Sequence, residues 1–154
     1  MIEYTRLGSL LLNGKFGSDQ IIIASNSTAI IPTIRNAARL FADEHGETHF
    51  EDIEFPMQDV QYAPPAPALQ LSDPIAATRL SWLRFPADWN DAAHPSPRRQ
   101  LFVVLTGEIE GWTSKGDRRH FRPGDCLLME DTVGKGHGAK PLDGEALAIM
   151  VALE

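Results

Sequence analysis

A single cysteine, Cys126, leaves no internal disulfide to form, so the fold rests on its own core and depends on no oxidising compartment. Long apolar runs are missing too. The opening segment carries Leu10 to Leu12 and Ile21 to Ile23, interrupted by Gly14, Lys15 and Gly17. These runs are far shorter than a membrane span, so we expect no signal peptide, no transmembrane helix, no membrane partner and a cytoplasmic location. Positive charge is scarce: 14 Lys and Arg stand against 21 Asp and Glu, a formal net charge of −7. No basic run is long enough to neutralise a phosphate backbone, which argues against nucleic acid as a partner. Neither a solenoid-length repeat nor a heptad pattern is present.

What is there fits one domain, since 154 residues can bury a core without staples. Residues 1–40 read as an N-terminal arm with a short helix, and 41–154 as the domain proper. Within the arm, Asp19 to Ala24 suits a strand. In TIRNAARLF, Thr33 to Phe41, the residues Ile34, Ala37, Ala38 and Phe41 fall at helical spacing behind Pro32, which predicts a helix. The following THFEDIEF alternates with period two, His49, Glu51, Ile53 and Phe55 on one face against Phe50, Asp52 and Glu54 on the other, and predicts a strand. From Pro56 to Pro74, five prolines remove backbone donors and predict a long extended loop. Beyond Ile75, short apolar segments alternate with turn signals: ATRLSWLRF, LFVVL, EIEGW, RRHF, CLLM and ALAIMVAL, separated by SKGD, RPGD and VGKGHG. That spacing predicts an all-β sandwich or barrel. LFVVL and ALAIMVAL are apolar at nearly every position, so both of their faces need cover, and a two-fold homodimer is expected.

The stretch from Trp82 to Leu153 resembles the cupin superfamily. Its first motif is matched by His94, Ser96 and Gln100 ahead of LFVVLTG, and its second by Pro123-Gly124-Asp125, CLLMEDT and His137. A narrower likeness, carried by GETHFED, PSPRRQLFVVLTGEIE and FRPGDCLLMEDTVGKGH, is to small single-domain cupins, most without an assigned reaction. The resemblance implies a jelly-roll β-barrel (an all-β double-stranded β-helix) with a pocket near His94, Gln100 and His137. It also implies one divalent metal ion (Zn, Fe, Mn or Ni) held by those three residues. Ser96 and Gln100 stand where metal-binding cupins supply a histidine and a carboxylate. The amide brings no charge to offset a cation, so any such site is weakened.

Other side chains are candidates on chemical grounds. His49 is a candidate base if its face of the strand turns inward, and Glu51 would then meet substrate; the alternative places both at a rim. Glu130, with Asp131, is a candidate proton donor, and the alternative is a solvated turn. Arg98 shares parity with Gln100 and suits a carboxylate or enolate. Trp89 could stack on a planar ligand, and Cys126 reads as an inert buried thiol. Together these predict a metal-assisted small-molecule enzyme, a lyase, isomerase or oxygenase acting on a carbonyl or carboxylate compound. A non-catalytic, metal-free ligand-binding protein is the alternative.

Overall fold

A computed structural model describes residues 37–90 and 92–154, and among them it contains strands and turns but no helix. Eleven strands run in chain order: β1 (Ala37–Ala42), β2 (Thr48–Asp52), β3 (Met57–Val60), β4 (Leu69–Ser72), β5 (Ala77–Phe85), β6 (Gln100–Thr106), β7 (Ile109–Thr113), β8 (Arg118–Phe121), β9 (Cys126–Met129), β10 (His137–Pro141) and β11 (Ala146–Leu153). The all-β expectation is met, and the strands after Ile75 fall where the turn signals put them. The segment 19–24 and residues 33–36 lie outside the described residues.

The helix expected over Thr33 to Phe41 is corrected: Ala37–Ala42 is a strand. Its apolar residues fit either period, and tertiary pairing decides. β1 runs antiparallel to β2 and parallel to β9, an arrangement that buries Ala38 and Leu40 completely while Arg39 and Phe41 take the other face. Neighbours distant in sequence outweigh a weak local propensity.

The closed barrel is also corrected. A six-stranded sheet, in the order β2-β1-β9-β6-β11-β5, faces a three-stranded sheet, β10-β7-β8, and β3 and β4 form a separate two-stranded ribbon. None of the three closes on itself. Where β2 approaches β7, side chains replace the ladder that closure would need: Thr48 N–H donates to Ser114 Oγ, and Ser114 N–H donates to Thr48 Oγ1. The arrangement is an open sandwich, with inner faces contributing alternate residues to a shared core. Leu40, Phe102, Val104, Leu127 and Met129 from the large sheet meet Ile109 and Phe121 from the small one.

The proline-rich stretch expected to be loop throughout instead pairs β3 with β4, Met57 opposite Ser72 and Val60 opposite Leu69. Its five prolines fall outside the two strands, which is why the ladder survives them. LFVVL is buried on one face only, Phe102 and Val104 lying inward while Leu101, Val103 and Leu105 are half-buried on the other side.

Candidate functional site

Between the two sheets lies a cavity of about 510 Å³, within the ordinary range for a small-molecule site. Its walls are apolar. Leu40, Phe50, Leu83, Phe85, Phe102, Leu127, Met129 and Met150 come from the large sheet, and Ile109, Gly111, Phe121 and Ala139 from the small one. The polar side chains on the lining are His94, Gln100, His137 and Arg84. The three residues singled out by the motif spacing thus border one cavity, and two of them, His94 and His137, are in contact.

Backbone geometry explains how. His94 and His137 form an isolated antiparallel bridge, each N–H donating to the other's carbonyl at 2.9 and 3.0 Å, and their rings lie 5.0 Å apart. The approach is close enough that a Cβ on Gly136 would sit 2.1 Å from the carbonyl carbon of His94, and Gly136 also has a φ of +73°. Glycine is required there on both counts. The hydroxyl of buried Thr48 donates to the Gly136 carbonyl at 2.7 Å, which ties the glycine loop to β2.

One side-chain chain organises this corner. Asp131 is fully buried; its Oδ2 lies 2.7 Å from His137 Nδ1, and its Oδ1 accepts from Ser96 Oγ at 2.7 Å. A carboxylate can only accept, so Nδ1 carries the proton and Nε2 is the ring nitrogen of His137 left to act toward a ligand. Ser96, 2 % exposed, also donates its N–H to the Asp131 carbonyl. It holds the acid that orients the histidine, a positioning role that its place in the motif did not suggest. The sequence pairs Asp131 with Glu130, as candidate acids or a solvated turn; burial separates the two.

Glu130 turns the other way. Arg39 Nε and Arg99 Nε donate to its two oxygens at 2.5 and 2.7 Å. Burial pushes its carboxyl up, but the two guanidinium groups outweigh burial and hold it below the usual range, so it is a clamped anion and no proton donor. His49 and Glu51 share the outward face of β2, opposite Phe50. His49 Nε2 contacts Asp43 Oδ2 at 2.8 Å, and Glu51 accepts from Arg39. Neither lines the cavity. Arg98 is exposed in the bend before β6 and also lies off the lining, whereas Trp89 borders the cavity, edge-on to Phe85 at 6.2 Å. Cys126 is buried and its thiol is pushed up to about 11, by burial first and by Asp125 second, which keeps it an unreactive thiol.

The donor set at this corner suits the expected metal ion poorly. Among the described residues no group of three or more His, Cys, Asp or Glu side chains could hold an ion. Asp131, the one carboxylate in the corner, is spent on Ser96 and on His137 Nδ1, and the Gln100 amide donates to Met129 Sδ at 3.8 Å. Two imidazoles and a neutral amide do not fit a firmly held divalent cation.

No family model matches the chain, and no curated protein matches it. Among the described residues, no helix is long and apolar enough to cross a membrane.

Proposed function

We propose that this protein binds a small, neutral, mostly apolar molecule in the cavity between its sheets, and that His137 supplies the directional hydrogen bond. The observation that carries this is the Ser96–Asp131–His137 chain beside an otherwise apolar space. Neutrality follows from what lines that space. Arg84 is the one Lys or Arg side chain on the lining, and Glu145 engages its guanidinium through both carboxylate oxygens. An imidazolium at 137 would likewise be neutralised by Asp131. Beyond these engaged groups a ligand carboxylate would meet only the imidazole of His94, and taking it out of water would cost on the order of several kcal/mol. The two segments with cupin resemblance both border this space, which supports reading it as the ligand site.

A second reading, proton transfer on the bound molecule, is favoured by the pairing of His94 with His137. A base fixed by a buried carboxylate, 5.0 Å from a second imidazole, could remove a proton beside a carbonyl and return it elsewhere.

The test is a thermal-shift screen of size-matched alcohols, ketones and carboxylic acids. Neutral members should raise the unfolding temperature, the acids should not, and both His137→Ala and the cavity-filling Ala139→Leu should abolish the shift. Preferential stabilisation by the acids would overturn the proposal. Solvent-deuterium incorporation into a bound ketone, present in wild type and lost in His137→Ala, would establish the catalytic reading.

A further inference from the structure

The polar side chains that border the cavity differ in their access to water. Arg84, Trp89 and His94 are exposed. Gln100 and His137 are not: they are 5 % and 7 % exposed, and each carries one polar atom that the protein leaves unused. His137 Nδ1–H donates to Asp131, which leaves Nε2. The Gln100 side-chain N–H donates to Met129 Sδ, which leaves Oε1. Neither remaining atom has a hydrogen-bond partner among the described residues. Among those residues, no side-chain nitrogen or oxygen sealed from solvent lacks a partner. Both atoms are therefore open to space, and the space that both residues border is the cavity.

The two atoms have the same hydrogen-bonding sense. A neutral imidazole with its proton on Nδ1 offers a lone pair at Nε2, and an amide oxygen offers two. The thioether of Met129 fixes which end of the amide is which, since sulfur can accept a weak hydrogen bond and donate none. The backbone sets both groups beside one stretch of chain. Gln100 lies opposite Met129 in the β6–β9 ladder, and Asp131, which holds His137, follows two residues later, at most about 7 Å further on.

We infer that the cavity selects a neutral hydrogen-bond donor, an alcohol in place of the carbonyl compound of the same skeleton, and that Gln100 is a residue that determines this specificity. The choice rests on the reading of this cavity as the site of a neutral ligand. A carbonyl oxygen brings only lone pairs. Seated against Nε2 and Oε1, it would displace the water that satisfies them and give no proton back. A hydroxyl supplies that proton, while the apolar walls treat the two skeletons alike.

The test is an amide NMR titration of the full chain with cyclohexanol, cyclohexanone and cyclohexanecarboxylate. Cyclohexanol should bind roughly tenfold tighter than cyclohexanone, the difference expected of a buried acceptor met or left unmet. Gln100→Met keeps the reach of the side chain beside Met129 and removes the oxygen. Its affinity for cyclohexanol should fall by about three-fold or more while that for cyclohexanone holds or rises, so the ratio narrows. A purely structural role for Gln100 would instead weaken both ligands in proportion and leave the ratio unchanged, which would overturn its assignment. Equal wild-type affinity for the alcohol and the ketone, with the carboxylate weakest, would overturn the inference and leave the neutral-ligand reading standing. Tightest binding by the carboxylate, or binding by none of the three, would overturn both.

Discussion

Two histidine–aspartate pairs in this molecule have nearly the same separation and different surroundings. His137 Nδ1 and Asp131 Oδ2 lie 2.7 Å apart with side chains 8 % and 0 % exposed, while His49 Nε2 and Asp43 Oδ2 lie 2.8 Å apart at 28 % and 27 %. The buried pair has no water to fall back on, so its remaining lone pair must be met by Ser96. The outer pair is built into a turn, where Asp43 Oδ1 accepts from the backbone N–H groups of His45 and Glu47. Pairing distance alone says little about role. Burial makes the first pair an orienting device beside a cavity and leaves the second a turn lock in contact with solvent.

The sharpest way to break the comparison is to remove each acid. Asp131→Ala strips the Nδ1–H of His137 and the hydroxyl of Ser96 of their acceptor in a dry site. We expect a loss of roughly 3 kcal/mol or more by urea denaturation, because unsatisfied buried donors bear their full desolvation cost. The thermal shift given by neutral ligands should vanish with it. Asp43→Ala should leave that ligand response unchanged. Equal effects of the two substitutions on ligand response would mean that burial does not separate the pairs.

Next in size is Ser96→Ala, which leaves Asp131 Oδ1 without its side-chain donor while the backbone bond from Ser96 N–H remains. A cost of about 1–2 kcal/mol is expected, and Ser96→Thr should recover part of it. If Ser96→Ala is neutral, Ser96 does not position Asp131, and the three-residue chain shortens to a pair.

The same contrast explains what could be read from the residues. The strand pattern after Ile75 was legible because turn signals and apolar runs are local properties, and the motif spacing located His94, Gln100 and His137. The period-two alternation of β2 was legible as well, but its orientation was not. Phe50 marks one face, Ile53 and Phe55 the other, so both faces look capable of burial. The choice falls to neighbours distant in sequence such as Phe121, whose ring lies 6.0 Å from that of Phe50. This put His49 and Glu51 outside the cavity. Asp131 was hidden for a similar reason: its neighbours Glu130 and Thr132 look like a turn, and its buried partner Ser96 is 35 positions away. Closure of the sheets was beyond reach, because it depends on whether edges meet through ladders or through side chains such as Thr48 and Ser114.

The smallest expected effect concerns the outer pair and acid. Asp43 is held down to about 2 from an ordinary 3.8, by the hydrogen bond to His49 first, with burial opposing it and the N–H groups of Glu47 and His45 adding to it. A carboxyl whose folded value lies below its unfolded value favours folding above the unfolded value, and that contribution disappears as pH falls through the folded one. The window therefore runs from about pH 4 down to about pH 2. His49→Ala should raise the Asp43 midpoint, followed by carboxyl carbon NMR, but not fully to the ordinary value, since the two backbone donors remain. Thermal unfolding temperatures of wild type and variant should differ modestly above this window and converge toward its acid end. The modest size follows from solvent screening of a partly exposed pair. An Asp43 midpoint that does not move in His49→Ala would show that the turn amides, and not the imidazole, hold the carboxyl down, and the outer pair would then be no pair at all.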